Sequence, residues 1–143
     1  MKYYLPALIG LSVIISACGG DDSSGNGLSE FEKEHGVGPI TEAISLDELD
    51  RNLADRGQEL FEAQCTACHQ LEAPITGPAL GEITQKREPA FIMNYILNPR
   101  EMREKHPVAQ QLSEDYPGVM NDLGLDKDEA KAIVVFLAEY AGD

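Results

Sequence analysis

The chain has 143 residues and a net charge of −14, from 25 acidic and 11 basic side chains. The length suits one domain, and 43% hydrophobic with 25% charged residues is typical of a globular protein and excludes a disordered or fibrous chain. The excess of carboxylates argues against nucleic-acid binding, which depends on Lys and Arg at the phosphates. Three cysteines are too few for a disulfide-rich scaffold.

The N-terminus has the pattern of a secretory signal peptide. Lys2 precedes an apolar run over residues 5–17, which is shorter than the roughly 20 residues that span a bilayer. Residues 15–18, Ile-Ser-Ala-Cys, resemble the lipobox of bacterial lipoproteins. In those proteins a diacylglycerol is attached to the cysteine sulfur, and the chain is then cleaved directly before that cysteine. We therefore predict that residues 1–17 are a lipoprotein signal peptide and that Cys18 carries the lipid. The alternatives are a short buried helix and a free or disulfide-bonded Cys18.

Residues 18–44 are predicted to be a lipid-anchored tether followed by a surface segment. The stretch 19–27 consists of Gly, Ser, Asp and Asn, a composition typical of flexible linkers. Residues 28–44 show no clear hydrophobic period, so we expect them to be extended or to wrap the surface of the domain.

Helical signals begin at Ser45, and residues 45–143 are predicted to form the folded domain. Ser45 and Glu48 fit a capping box that would start a first helix. Apolar and small residues follow at three- and four-residue spacing. These are Leu46, Leu49, Leu53, Gly57, Leu60 and Phe61.

Three further helices are predicted from proline positions and periodicity. One covers Pro89–Leu97, a short one follows with Asn98 as cap and Pro99 at its first position, and another begins at Pro107. The inner face of the first is expected to carry Phe91, Ile92, Tyr95 and Ile96.

The final helix has the clearest signals. Asp126 and Glu129 fit an aspartate capping box, and Leu125 is placed to pack on Ala130. The inward stripe consists of Ile133, Val134, Leu137 and Tyr140. No strand pattern is present, so the predicted fold class is all-α, with about four to five short helices. A small domain without tryptophan buries little apolar surface, so we expect something else to fill its centre.

Residues 65–69 have the sequence Cys-Thr-Ala-Cys-His, which indicates what fills the centre of the domain. C-x-x-C-H is the attachment signature of c-type haem. Cys65 and Cys68, three positions apart at a helix end, can each form a thioether to one side of a porphyrin, and His69 then supplies an axial nitrogen to the iron. We therefore predict one covalently attached haem c.

Three other interpretations of this motif remain open. A thioredoxin-type redox pair requires a strand–helix context that the sequence does not show. A zinc site requires further ligands, and neither His35 nor His106 has the usual spacing. The third alternative is a structural disulfide between Cys65 and Cys68.

From Leu53 to the C-terminus the chain resembles a class I c-type cytochrome. Besides the C-x-x-C-H motif, the residues that carry the resemblance are Gly57, Phe61, Gly77-Pro78-Ala79-Leu80, Leu137 and Tyr140. In that family the N- and C-terminal helices cross, and Gly57 would allow close backbone approach there. The resemblance implies that the carbonyl of Pro78 accepts the ring N–H of His69, and that Leu80 packs on the haem face.

The resemblance also implies a methionine as the sixth iron ligand. Met120 lies just before the final helix, where the family keeps this ligand, although Asn121 stands where many relatives have proline. His106 is the second candidate and an open site the third. Met93, in the middle of a predicted helix, is expected to pack in the core or to lie on the surface. Met102 is expected on a solvated face.

A narrower resemblance involves residues 87–99, together with Glu101-Met102 and His106-Pro107. They resemble small cytochromes encoded beside nitrous oxide reductases. Arg87, Arg100 and Tyr95 are candidates for contact with the haem propionates, since arginine binds carboxylates bidentately; ordinary surface or core roles are the alternative.

These features favour an electron carrier and not an enzyme. The predicted protein is a lipid-anchored, periplasm-facing monohaem cytochrome that shuttles single electrons. Its expected partners are redox proteins with basic docking patches, a donor such as a quinol-oxidising complex and an acceptor such as a terminal oxidase or nitrous oxide reductase. The alternative is a haem enzyme or gas sensor with a labile sixth iron ligand.

Overall fold

The computed structural model describes residues 27–46 and 50–142. Within these ranges the chain forms seven helices and no strand, which confirms the all-α class. The helices are α1 (Glu30–His35), α2 (Arg51–Gln64), α3 (Ile83–Lys86), α4 (Pro89–Leu97), α5 (Pro99–Lys105), α6 (Pro107–Asp115) and α7 (Lys127–Gly142). The predicted signal peptide, Cys18 and the stretch 19–26 lie outside the described residues. None of the helices in the described ranges has the length and apolar character to cross a bilayer.

The prolines set the starts of three consecutive helices, as predicted. Pro89, Pro99 and Pro107 occupy the first positions of α4, α5 and α6, respectively. A backbone N–H at this position has no partner within the helix, so its absence in proline does not weaken the helix. Asn98 holds the cap position of α5 but its side chain does not bond the helix backbone. Seven helices exceed the four to five expected, because the short α1 and α3 were not predicted.

The predicted start of the first long helix, at Ser45, was wrong. α2 begins at Arg51, and the Oδ1 atom of Asp50 accepts the backbone N–H groups of Asn52 at 2.9 Å and Leu53 at 3.4 Å. Aspartate satisfies two orphan donors here and therefore fixes the helix start. The second member of the predicted box, Glu48, lies outside the described residues.

The capping box of α7 is present. The backbone N–H of Asp126 donates to Glu129 Oε2 at 3.0 Å, and the N–H of Glu129 donates to Asp126 Oδ1 at 2.8 Å. This reciprocal pair fixes where α7 starts and hence how it crosses α2.

α2 and α7 cross at Gly57. A Cβ atom at this position would lie 2.0 Å from the carbonyl oxygen of Ala132, so only glycine allows this approach. One turn further along α2, the ring of Phe61 packs 5.5 Å from that of Phe136. The N–H of Cys65 bonds the carbonyl of Phe61 at 2.8 Å, so the crossing also positions the first cysteine of the motif.

Residues 28–44, the N-terminal segment, pack against α4. The segment was expected to be extended or to wrap the surface; it does lie against the domain, but it contains α1 and buries Leu28, Val37 and Ile40. The fully buried Asn94 of α4 holds it. The Oδ1 atom of Asn94 accepts the N–H of Ile40 at 2.9 Å, and its Nδ2 atom donates to the carbonyls of His35 at 2.9 Å and Ile40 at 3.0 Å. The folded unit therefore includes residues before Ser45.

Candidate functional site

A mainly apolar cavity lies beside the α2–α7 crossing. Its walls come from the end of α2, the loop after it, helices α3 to α6, the loop before α7 and α7 itself. All six residues that the sequence analysis assigned to the cofactor line it: Cys65, Cys68, His69, Pro78, Leu80 and Met120. The fold thus brings Cys65 and Met120, which are 55 positions apart in the sequence, to the same cavity.

The ring of His69 is held in one orientation. Its Nδ1 atom lies 2.9 Å from the carbonyl oxygen of Pro78. A carbonyl only accepts, so Nδ1 carries the proton and Nε2 keeps a free lone pair for a metal. A Cβ atom at Gly77 would lie 2.4 Å from Cε1 of His69, so the loop backbone packs directly on the ring.

The two cysteines of the motif differ in environment. Cys65 is buried and Cys68 is exposed, and the structure forms no disulfide between them. Burial raises the pKa of the Cys65 thiol to about 11, and the neighbouring Cys68 acts in the same direction. Cys65 is therefore uncharged at neutral pH. A thioether is uncharged as well, so bonding to a porphyrin suits this buried position.

Of the side chains considered as sixth ligand, only Met120 lines the cavity. His106 is buried elsewhere: its Nδ1 atom accepts the N–H of Val108 at 3.2 Å, and its Nε2 atom lies 3.1 Å from the carbonyl of Lys33. Both ring nitrogens are therefore occupied by the backbone. Met93 and His35 are also buried away from the cavity.

The expected solvated position of Met102 was wrong. Met102 is fully buried, and its sulfur accepts the N–H of Val37 at 3.0 Å. The N-terminal segment covers the face of α5 that carries Met102. The sequence does not show this burial, because the residues around Met102 are charged.

The structure separates the three residues that were candidates for contact with the haem propionates. Arg87 and Tyr95 line the cavity, whereas Arg100 does not; it is exposed and pairs with Glu104 at 3.7 Å. The sequence analysis missed Arg103, which lines the cavity and has a buried Nη1 atom without a hydrogen-bond partner. Burial raises the pKa of Tyr95 and the positive charge of Arg103 acts in the opposite direction; both side chains line the cavity.

The periodicity of α5 carried a signal for Arg103. Pro99, Met102 and His106 are buried, so positions 99, 103 and 106 share the inward side of the helix at spacings of four and three. The surrounding charges, Arg100, Glu101, Glu104 and Lys105, made the whole segment resemble a solvated face.

These residues fit a covalently bound haem. A buried guanidinium nitrogen without an acceptor is costly unless an anion pairs with it, and a haem propionate is such an anion. The cavity also offers two thiols, an oriented imidazole and a thioether sulfur, which together match the attachment and axial ligands of haem c. Among the described residues, no group of three or more His, Cys, Asp or Glu side chains is arranged to hold a metal ion by itself.

Comparisons with known proteins agree with this site. A family model described as cytochrome c matches residues 54–140. The structure of a cytochrome c from Rhodothermus marinus is 40% identical, with a TM-score of 0.71 over 73% of this chain and 90% of that chain. An engineered cytochrome c from Rhodothermus marinus, Rma TDE, has the same identity and a TM-score of 0.70, covering 74% of this chain and 92% of that chain.

A curated relative from Synechocystis sp., described as cytochrome c-553-like, is 35% identical over 46 residues. The match covers 32% of this chain and only 44% of the relative. Because the family model covers most of the described domain and the solved structures share its fold, the chain belongs to the cytochrome c family as a class I c-type, haem-based electron carrier.

Proposed function

We propose that the chain is a membrane-anchored monohaem cytochrome that passes single electrons between respiratory redox proteins on the periplasmic side of a bacterial membrane. The observation that carries this proposal is that one cavity contains the C-x-x-C-H cysteines, the oriented ring of His69 and Met120. When bound, the haem supplies reversible one-electron exchange at its iron.

The side chains of the cavity favour electron transfer over substrate chemistry. His69 is held by Pro78 with Nε2 free to ligate, and Met120 supplies a soft sulfur that favours ferrous iron and a raised reduction potential. His69 and Met120 would hold the iron of a bound haem from protein side chains, and a haem held by both would leave no iron position for a substrate. The mainly apolar walls would limit the access of water to a bound haem, which would reduce the reorganisation that accompanies each change of charge.

Membrane attachment is proposed from the sequence at the N-terminus. Residues 1–17 would direct export, and Cys18 would carry the lipid. Residues 18–27 would then connect the lipid to the domain, in which Leu28 is buried. Such attachment keeps the domain near membrane-bound partners at a high effective concentration.

The partners are proposed from charge and resemblance. A net charge of −14 steers the protein toward basic docking surfaces. The donor would be a quinol-oxidising complex and the acceptor a terminal oxidase or reductase. The resemblance of residues 87–99 to cytochromes encoded beside nitrous oxide reductases supports that reductase as an acceptor.

The proposal is tested on the full-length, haem-loaded protein. We expect an oxidised spectrum with a sulfur-to-iron charge-transfer band and a reduced spectrum that carbon monoxide leaves unchanged. A missing band together with ready carbon monoxide binding would instead establish an open site and the haem enzyme or gas sensor. For the anchor, mass spectrometry of the wild-type chain should find an acylated peptide that begins at Cys18. Cys18→Ser should lack the acyl mass and retain residues 1–17, because lipobox cleavage follows acylation of the cysteine sulfur. An unmodified cysteine at position 18 of the wild-type chain would refute lipid attachment at Cys18.

A separate prediction concerns Arg103. Arg103→Leu should lower the reduction potential by on the order of 50 mV, because a partly screened positive charge that favours the reduced site is lost and its anion is left unpaired. Arg103→Lys should retain most of the potential. Arg100→Leu is the matched control, because Arg100 is exposed, paired with Glu104 and outside the cavity. Equal shifts for Arg103→Leu and Arg100→Leu in protein-film voltammetry would show that Arg103 does not contact the haem.

A further inference from the structure

Four side chains along α4 and α5 bond the backbone of the N-terminal segment. They are spaced four positions apart and are called here the contact row: Asn94, Asn98, Met102 and His106. The Nδ2 atom of Asn98 donates to the carbonyl of Val37 at 3.3 Å, and the sulfur of Met102 accepts the N–H of Val37 at 3.0 Å. The Nε2 atom of His106 donates to the carbonyl of Lys33 at 3.1 Å. Together with the bonds of Asn94 described above, every member of the row thus contacts the segment.

The contact row is continuous although α4 and α5 are separate helices. The backbone N–H of each member donates to the carbonyl of the member before it: Asn98 to Asn94 at 2.9 Å, Met102 to Asn98 at 3.1 Å and His106 to Met102 at 2.8 Å. This is the bonding pattern of an α-helix, so the four side chains remain on one side of the chain through the junction at Asn98. The segment therefore contacts α4 and α5 as one surface.

The contact row is buried, so its bonds to the segment matter for its position. Asn94 and Met102 are fully buried and His106 is 3% exposed, and a buried polar group that loses its partner destabilises the fold. Two glycines bring the backbone of the segment directly against these side chains. A Cβ atom at Gly36 would lie 2.9 Å from the sulfur of Met102, and one at Gly38 would lie 2.4 Å from Oδ1 of Asn94.

The residue after Met102 is part of the cavity wall. No member of the contact row lines the cavity, whereas Arg103 does, and its buried Nη1 atom has no hydrogen-bond partner. Adjacent residues of an α-helix point about 100° apart. The contacts of Met102 with the segment therefore fix the rotation of α5 that brings Arg103 to the cavity.

The N-terminal segment lies outside the part of the chain that the family model matches. The model covers residues 54–140, and the segment ends at residue 44. The contact row therefore connects a part of the chain that the family model does not include with the wall of the haem cavity.

We propose that the N-terminal segment, through the contact row, holds Arg103 in position to pair with a haem propionate and thereby raises the reduction potential of the haem-loaded protein. The proposal rests on the proposed function, because it requires haem in the cavity. Met102 is a positioning residue, since it does not line the cavity and acts through Arg103. Release of the segment would let α5 turn, and the positive charge that favours the reduced state would move away from the site.

The test releases the segment from either side of the contact and uses the full haem-loaded chain. Gly36→Ala places a methyl group against the sulfur of Met102, and Met102→Leu removes the acceptor of the Val37 N–H while nearly keeping the side-chain volume. In both variants, amide hydrogen exchange at residues 33–40 should become about tenfold faster or more. Protein-film voltammetry should show a lower potential, with a shift smaller than that of Arg103→Leu and of the same sign. The sulfur-to-iron charge-transfer band should remain.

A double-mutant cycle distinguishes positioning of Arg103 from a general loosening of the domain. In an Arg103→Leu background, neither Gly36→Ala nor Met102→Leu should shift the potential further, because the charge through which the segment acts is then absent.

Each variant has a matched control. Gly27→Ala corresponds to Gly36→Ala, because both glycines have a positive φ, of 69° and 77°, but a methyl group at Gly27 meets nothing within 4 Å. Met93→Leu corresponds to Met102→Leu, because Met93 is also a buried methionine outside the cavity. Both controls should keep the potential and the hydrogen exchange of the wild type.

The proposal is overturned if exchange becomes faster while the potential stays that of the controls, or if the potential shifts equally with and without Arg103. Unchanged hydrogen exchange in both Gly36→Ala and Met102→Leu would also overturn it, because the contact row would then not hold the segment. Failure of the proposed function is seen separately, as carbon monoxide binding by the wild-type protein.

Discussion

Replacement of Met120 by leucine should remove the sulfur-to-iron charge-transfer band, lower the reduction potential by on the order of 200 mV and open the iron to carbon monoxide. Leucine has nearly the volume of methionine, so packing against the core cluster is largely retained while the thioether is lost. The expected change is therefore one of ligation and not of folding. Optical spectra and voltammetry of the haem-loaded variant measure all three effects.

Met93→Leu is the matched control, because Met93 is a buried methionine that does not line the cavity. Its spectrum and potential should be those of the wild type. His106→Gln should likewise keep the band, since the ring of His106 is held by the backbone of Lys33 and Val108. A band that persists in Met120→Leu and disappears in either of the other two variants would assign the sixth ligand to that residue.

Much of the fold could be predicted because its signals are local. A proline at the first helical position and an Asp–Glu capping box act within one turn, so Pro89, Pro99, Pro107 and the Asp126–Glu129 pair indicate helix starts directly. Ser29 and Glu32 also form a capping box, and their reciprocal hydrogen bonds cap α1. A helix of six residues is too short to show the hydrophobic period that would have supported its prediction.

What the sequence did not predict depends on contacts between distant segments. Met102 has charged neighbours on both sides, yet it is fully buried because Val37, 65 positions earlier, packs on it and donates to its sulfur. Asn94 is polar in the middle of an apolar helix, and only the fold supplies the backbone groups of the N-terminal segment that satisfy it. Local composition cannot distinguish such residues from solvated ones.

The residues of the candidate site also divide into those with a local sequence signal and those defined by contacts between distant segments. The C-x-x-C-H motif is contiguous because both thioethers and the axial histidine act on one small group, so it is recognisable in sequence. The bond from His69 to Pro78 spans nine positions and came from family resemblance. Arg103 was missed because the charged residues around it hide the inward side of α5 in the sequence, and the burial of its Nη1 atom beside the cavity depends on packing.

Gly57→Ala should have the largest effect on stability, a loss of on the order of 3 kcal/mol or more in the free energy of unfolding. The added methyl group would lie 2.0 Å from the carbonyl oxygen of Ala132 and 2.9 Å from Cβ of Phe136. These atoms are backbone and the base of a side chain, so α2 and α7 must separate. Guanidinium unfolding of the haem-loaded protein, followed by circular dichroism, measures the loss.

Gly142→Ala, at the end of α7, is the matched control, because a methyl group there meets nothing within 4 Å. It should change stability by less than about 1 kcal/mol. Since Cys65 follows α2 within one turn of Phe61 and is held by its carbonyl, separation of the helices should also displace the motif and weaken the charge-transfer band. A Gly57→Ala protein as stable as Gly142→Ala, with an unchanged band, would mean that the crossing tolerates a side chain and that the position of the motif does not depend on it.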